Sequence, residues 1–516
     1  MAFQISPGVN TSEIDLTTVV PGVSSIDAGF AGAFRWGPIN DVTLIDSEDL
    51  LVQTFQKPDA NTFASFFTAA NILNYTSSLH VVRAANTSGA KNSYSTSGTA
   101  AVLIANSSVY YNTYDEGQAG VITSAGPFAA KFAGALGNSL RVSLCGPTRA
   151  NLASGNTVVA SNSDVALTGT MAVHATTGAV TGTNTLFGTE LRVGDVIQTN
   201  NGNTFVVSAI TSNTAMTVNR DPVTGEISAG ATAVRFKRSA FEEPSKNMIG
   251  TVAVTANSTT VSATTATARD AATTAFNLQY KVGDIIKING EERKVVTVTN
   301  SSSMVVNTGF TNTATAQTHS RTWEYAGLFD KEPVTTEYSA GRGARFDEVH
   351  VVVVDEDGEW TGTQNEGLEI FPGLSVAKGA KNEDGSKAYY VDALNRRSKY
   401  IYWMDHDSTG DAYTTGGAAV SAWGTVPTSG IEYQANGTIV SESLIGGVDG
   451  TDVSDGDKIT GFNKFLNTEE IDIGLLAAGE ASATVALQLI SIAAQRKDCV
   501  AFISPEMADV VNNEGS

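Results

Sequence analysis

Helical spacing of apolar residues occurs near both ends of this chain and almost vanishes between residues 87 and 340. Phe63, Phe66 and Ala70 fall at helical spacing near the start, and Val485 and Leu489 lie on one helical face near the end. Between them, short strand-like runs alternate with Asn-Gly, Thr-Gly and Ser-rich turns. This pattern predicts an α/β domain interrupted by β-rich insertions, because the ends of an inserted domain commonly lie close together at the surface.

The α/β parts contain buried-strand patterns next to helix signals. Leu79–Ala84 and Val349–Val354 are apolar runs of strand length, and Ser47 can cap a helix that runs to Phe55. Ile471–Leu476, a helical segment and Cys499–Ile503 then follow in βαβ order. We therefore expect a split core domain with helices on a mixed, largely parallel sheet.

An internal repeat lies in the β-rich part. Residues 193–219, VGDVIQTNNGNTFVVSAITSNTAMTVN, match residues 282–307, VGDIIKINGEERKVVTVTNSSSMVVN. Related openings precede them, at Gly169–Val173 and Gly250–Val254. Because a solenoid needs three or more units, the repeat indicates two copies of one small β-barrel or sandwich module.

These patterns divide the chain into an N-terminal arm, a discontinuous core and two insertions. The predicted boundaries are an N-terminal arm at 1–22, a core at 23–86 plus 340–516, a β-rich insertion at 87–160, and an insertion at 161–339 with modules at about 169–238 and 250–325.

The first residues alternate apolar and polar side chains and are cut off by Pro21-Gly22. An isolated strand cannot satisfy its own backbone groups, so the segment needs a sheet to join. It is either an edge strand of its own domain or an arm that adds to a neighbouring subunit's sheet. The apolar arm residues are Phe3, Ile5, Val9, Ile14, Leu16 and Val19.

Composition excludes several classes of function. Lys and Arg total 32 against 53 Asp and Glu, a net charge of −21, which argues against direct nucleic-acid binding. Cys145 and Cys499 lie in separate apolar runs, which favours buried free thiols and folding in a reducing cytosol. The absence of a signal peptide and of any run of about 18 apolar residues predicts no membrane insertion.

Motifs for chemistry are largely missing. The histidines are scattered, and His80 and His350 lie in strand-like runs where a structural imidazole is expected. Zinc-ligand spacings, phosphate-binding loops and nucleophile motifs do not occur. We expect no cofactor, no metal and no enzymatic activity; a hydrolase using the neighbourhood of Asp455 is the weak enzymatic alternative.

Two acidic clusters have ordinary structural interpretations. Asp355-Glu356-Asp357-Gly358 follows a strand and predicts a hairpin turn. The acids from Asp449 to Asp457 lack the regular spacing of a calcium loop and predict a loop entering a helix N-terminus.

Several segments together resemble contractile phage tail sheath proteins. They are Ser6-Pro7-Gly8-Val9 with Glu13, SSIDAGFAGAFRWGPIND at 24–41, LHVVRAANTSGAKN at 79–92, GALGN at 134–138 followed by Leu140-Arg141-Val142, FDEVHVVVVDEDGEW at 346–360 with Leu368-Glu369 and Gly373-Leu374-Ser375, LIGGVDG at 444–450, and Arg496-Lys497-Asp498-Cys499. Each is weak alone, but their consistent order is specific.

The resemblance implies a subunit that polymerises as stacked hexameric rings around a tail tube in the virion, after assembly in the host cytoplasm. Contraction would drive the tube through the host envelope, with tube, baseplate and tail terminator proteins as partners. It also implies a tube-facing C-terminal domain beyond Ser516, so the sequence resembles a form lacking that domain. The rival interpretation is a β-rich adhesin whose modules contact a receptor.

Overall fold

The structure is a computed structural model that describes most of the chain from residue 27 onward. It describes residues 27–117, 123–147, 165–264 with short gaps, 276–406, 413–450 with short gaps, 453–506 and 510–511; the gaps are 175–176, 192, 194, 201–202, 220–226, 236–238, 240, 244, 246–247, 249, 416–417, 421–422, 432 and 434–438. No helix among these residues combines the length and the apolar character needed to cross a bilayer.

The chain forms two compact units. The first contains residues 1–89 and 450–516, and the second contains residues 90–449. This division differs from the predicted return to the core near residue 340, because Glu348–Asp355 pairs on both sides with strands of the second unit. The domain boundaries given in the sequence analysis stay a prediction.

A mixed five-stranded sheet is the centre of the first unit. Its strands, in spatial order, are Val42–Ile45, Leu79–Arg83, Ala28–Gly32, Leu475–Ala481 and Val500–Pro505. Val42–Ile45 is antiparallel to its neighbour and the other pairs are parallel. Ala28–Gly32 is buried along its whole length, as expected for a strand covered on both faces.

Two helical layers cover this sheet. Glu48–Phe55 and Phe63–Leu73 pack with Ala28 and Phe30, whereas Asp455–Phe462 and Ala483–Arg496 belong to the cluster that contains Ala31. Successive strand residues point to opposite faces, so one short strand serves both layers. The predicted α/β class with a mixed sheet is confirmed.

The first helices begin where the sequence predicts. Ser47 accepts a hydrogen bond from the Leu50 N–H, and the helix ends at Phe55 as expected. The predicted strand at Ile471–Leu476 begins later, at Leu475, because Gly474 and Leu475 first donate their N–H groups to the Asp27 carbonyl.

A seven-stranded antiparallel sheet is the centre of the second unit. Its strands, in spatial order, are Glu366–Ser375, Glu348–Asp355, Leu140–Cys145, Ile439–Ile445, Tyr94–Ser95, Phe128–Ala130 and Ile401–Trp403. The helices Ser107–Thr113 and Tyr390–Arg397, the one-turn helix Glu337–Ala340 and the hairpin Tyr413–Thr415 with Ala418–Val420 belong to the same unit. Lys91 and Val448 exchange both backbone hydrogen bonds at 3.0 Å, which joins the two ends of the unit as a stem.

The two repeats form eight-stranded antiparallel sheets with the same strand order. The first module runs Ile227–Ala231, Thr170–Val173, Ala179–Thr183, Ala215–Asn219, Thr204–Ser212, Val196–Thr199, Ala233–Arg235 and Val165–Ala166. The second runs Ala314–Gln317, Val252–Val254, Thr260–Ala263, Ser303–Val306, Glu291–Asn300, Ile285–Ile288, His319–Thr322 and Glu242–Glu243. A one-turn helix, Phe187–Glu190 or Phe276–Gln279, precedes the long hairpin in each.

Equivalent irregularities occur in both modules. The first long hairpin shifts register between Val207 and Ala209 and again before Ser212, and the second shifts at the matching residues Val295 and Thr297 and again before Asn300. Bulges of this kind are conserved design features of a strand pair. The two modules thus share one strand order, as expected of two copies of one β module.

Each module buries an aspartate from its Val-Gly-Asp turn. Asp195 and Asp284 are 0% and 1% exposed, and Arg235 and Arg321 are the buried arginines of the two modules. Burial raises the pKa of Asp284 to about 6 from 3.8, against the lowering effect of the Arg321 guanidinium.

We expect the second module to lose stability as the pH rises from about 4 to about 6. Because the pKa of Asp284 is higher in the folded state than in the unfolded chain, its stabilising contribution is complete below 3.8 and is lost as the pH rises through about 6. The loss amounts to about 3 kcal/mol in the free energy of unfolding. Urea unfolding at a series of pH values measures it, and Asp284→Asn should flatten the profile; equal slopes in both proteins would contradict the assignment.

Phe30→Ala should destabilise the first unit by about 3–5 kcal/mol, since it empties the space of a fully buried ring beneath the first helical layer. Phe63→Ala is the matched control, because its ring is 55% exposed. Thermal unfolding of the control should stay within about 0.5 kcal/mol of the parent. A loss for Phe30→Ala as small as that of the control would show that Phe30 is not a core residue.

Candidate assembly surface

The first unit ends in an edge strand with exposed apolar side chains. Val500–Pro505 pairs only with Leu475–Ala481 among the described strands. Ala501 and Ile503 pack against the cluster of the last helix, whereas Val500 and Phe502 are 59% and 56% exposed. An apolar edge with unpaired backbone groups is a template for a further strand.

The opposite edge of the same sheet is shorter and flanked by acids. Val42–Ile45 has four residues, lies between Asp41 and Asp46, and exposes Leu44. Short strands with adjacent charges resist strand addition. Val500–Pro505 is therefore the better acceptor of the two.

Arg496 fixes the turn that leads into the apolar edge. Its buried guanidinium donates to the carbonyls of Phe465 and Ile471 and pairs with Asp498, with both N–O distances between 2.9 and 3.0 Å. Lys497 takes a left-handed conformation, with φ of 64°, at the end of the helix. The edge strand thus begins from a rigid turn.

Both helical layers of the unit also expose apolar side chains. Leu487 and Ile490 are 68% and 54% exposed on the helix Ala483–Arg496, and Phe63 and Phe67 are more than half exposed on Phe63–Leu73. A helix that is apolar around its circumference is normally covered on all sides. These residues indicate further contact surfaces. Helical spacing alone, as at Phe63, does not separate a core stripe from a contact stripe.

The six predicted arm residues lie outside the described residues. Phe3, Ile5, Val9, Ile14, Leu16 and Val19 all precede residue 27, where the described part begins.

The acidic turn after Glu348–Asp355 is a hairpin, as predicted. The strand returns as Glu366–Ser375, and the Asp355 carboxylate accepts hydrogen bonds from Ser139 Oγ and from the N–H groups of Gly358, Trp360 and Thr361. Burial raises the pKa of Asp355, but these donors outweigh it and hold the pKa below the usual value.

The second acidic cluster leads into a helix N-terminus, as predicted. Ser454 and Asp457 form a reciprocal capping box at the start of Asp455–Phe462. No group of three or more possible metal ligands occurs within the described parts of the chain.

His350 is held in its strand by hydrogen bonds. His350 accepts from the Gly373 N–H through Nδ1 and contacts the Lys331 carbonyl through Nε2, at 3.0 and 2.8 Å. Burial lowers the pKa of His350 and also of His80, in the latter case against the attraction of Asp27 and Asp472. Cys145 is buried and Cys499 partly buried, and both are free thiols.

The fold and this surface define a chain built around a split α/β unit with an apolar edge open to a further strand. The curated relatives that match it are all described as tail sheath proteins. They come from Vibrio phage KVP40 (38% identical over 88 residues), Enterobacteria phage T4 (39% over 89 residues) and Salmonella phage ViI (30% over 145 residues). These matches show that parts of the chain are similar to phage tail sheath proteins, the family that the sequence resembles.

The matches are partial. They cover 17%, 17% and 28% of this chain and 13%, 14% and 22% of the respective relatives. No protein-family model matches the chain. A crystal structure of a sheath tail protein from Listeria innocua is 14% identical and covers 40% of this chain and 35% of that one, but its TM-score of 0.15 carries no argument about the fold.

Proposed function

We propose that the chain is a structural subunit of a contractile tail sheath. In this role it polymerises as stacked hexameric rings around a tail tube in the virion, and contraction drives the tube through the host envelope. The observation that carries the proposal is the partial similarity to three phage tail sheath proteins. The open apolar edge Val500–Pro505 supports it, because a self-assembling subunit needs a surface that accepts another chain.

The proposed link is strand addition between copies. Residues 3–20 supply the incoming strand, since Phe3, Ile5 and Val19 alternate with polar neighbours as a half-buried strand requires. Val500 and Phe502 supply apolar contacts at the receiving edge. Backbone hydrogen bonds would hold the subunits together while the rigid units rotate, so that contraction needs no covalent change.

The work of contraction would then be stored in the subunit interfaces during assembly. Full reversal of a two-state preference needs a free-energy difference of about 5.5 kcal/mol per switching unit. A change in the packing of a subunit interface can supply a free energy of this size. No nucleotide or cofactor is required. The tube, baseplate and tail terminator proteins are the proposed partners, and the acidic net charge of −21 suits contact with more basic surfaces.

Deleting residues 3–20 should leave a folded protein that no longer forms tubes, because the incoming strand is lost while the described core is untouched. Negative-stain microscopy at a series of concentrations, with circular dichroism as the check on folding, measures both. Tubes from the otherwise full-length protein with this deletion would exclude the arm, and an intact protein that stays monomeric at high concentration would exclude the function.

Phe502→Lys should prevent assembly by placing a charge on the receiving edge, without loss of folding, since the ring is 56% exposed. Val282→Lys is the matched control: its side chain is 52% exposed, but it lies in the second module. Sedimentation should show assembly of the control and not of Phe502→Lys. Equal assembly of the two variants would mean that the edge strand is not used.

A further inference from the structure

Asn365 lies where the second module meets the seven-stranded sheet of the second unit, which is called the central sheet below. Its side chain lies between two cationic side chains. Arg141 Nη2, from a strand of the central sheet, donates to Asn365 Oδ1 at 2.7 Å. Lys294 Nζ, from the long hairpin of the module, lies 3.3 Å from the same oxygen. Glu324 accepts a hydrogen bond from Lys294 Nζ and also pairs with Arg141 at 3.4 Å. An amine, a carboxylate and a polarised amide therefore meet at one point.

The backbone holds these groups rigidly. Lys294 lies within a strand, and its N–H donates to Asn307 Oδ1 at 3.0 Å. Asn365 ends the hairpin loop organised by Asp355, and its N–H donates to the Asp355 carbonyl at 2.7 Å. The side chain of Glu324 is 14% exposed and that of Lys294 is 25% exposed, so the carboxylate and the amine are partly shielded, whereas Asn365 is exposed to solvent. Fixed geometry of this kind favours reaction between neighbouring groups.

We propose that Lys294 and Asn365 become joined by an isopeptide bond. Glu324 accepts a proton from the Lys294 ammonium, and the resulting amine attacks Cγ of Asn365. Arg141 Nη2 stabilises the charge that develops on Oδ1 as the new C–N bond forms. The bond from Cγ to the amide nitrogen then breaks, and Glu324 relays the second proton to the leaving nitrogen. An ammonium ion and a primary amide thus become a secondary amide and a released ammonium ion, with no change of oxidation state.

The bond would tie the second module to the central sheet. Trp323 Nε1 already donates to Ser143 Oγ at 2.9 Å across the same junction, and Trp323 packs in a core cluster with Val352 and Val354. The isopeptide bond adds a link that thermal or mechanical opening of this packing cannot break. The first module has Val206, a buried apolar residue, at the position equivalent to Lys294, so the bond is specific to the second module.

Intact-mass spectrometry of the purified full chain tests the proposal. The linked protein should weigh about 17 Da less than its sequence requires, the mass of one ammonia. Proteolytic mapping should recover a branched peptide that contains both Lys294 and Asn365. A full sequence mass with separate peptides, after prolonged incubation at neutral pH, would overturn the proposal. A loss of ammonia without the branched peptide would also overturn it, because cyclisation at Asn289-Gly290 gives the same mass.

Three variants separate the chemistry from simple ion pairing. Lys294→Arg and Asn365→Ala should restore the full mass expected for their sequences, since each removes one reacting group. Glu324→Gln keeps both reacting groups but cannot accept the proton, so it should also be unlinked. Lys287→Arg is the control, because Lys287 pairs with Glu292 at 2.9 Å on the same sheet and should leave the bond intact. A linked Glu324→Gln variant would contradict the role of the carboxylate.

Discussion

The pairing of Ala28–Gly32 with both Leu79–Arg83 and Leu475–Ala481 is the interaction on which the first unit depends. This pairing joins segments that are far apart in the sequence. The side chains on one face of the three strands pack against one helical layer, and those on the other face pack against the second layer. Without this three-strand centre, neither pair of helices has a surface to cover. Among the described strands, the outer strand Val500–Pro505 pairs with one neighbour, so it forms an edge of the sheet, as Val42–Ile45 does on the other side.

The sequence predicted the parts of the fold that follow from local patterns. Ser47, the run Val349–Val354 and the Val-Gly-Asp repeats marked a helix start, a strand and two modules, because capping, β-branched runs and duplication are all visible along the chain. The strand near Ile471 began later than predicted, since apolar residues of a loop resemble those of the strand that follows. Local patterns do not show which distant strands pair with each other. Glu348–Asp355 was expected in the largely parallel core sheet, but it pairs in an antiparallel sheet.

The surface was harder to anticipate than the core. The exposure of Phe502 and Leu487 depends on which neighbours the fold provides, so it cannot be inferred from their apolar character alone. The cluster at Asn365 could not be predicted from the sequence for a different reason. Arg141, Lys294 and Glu324 are separated by long stretches of sequence, and only the docking of the module onto the central sheet brings them together.

The stem at Lys91 and Val448 allows the part of the chain beyond it to vary in length. The two ends of the second unit pair at Lys91 and Val448, and the pairing continues where Tyr94–Ser95 meets Ile439–Ile445, so the rest of the unit is an insertion beyond this stem. Modules can be gained, lost or exchanged beyond the stem while the strand register of the first unit is preserved. Variation in the inserted modules is thereby uncoupled from variation in the five-stranded sheet of the first unit.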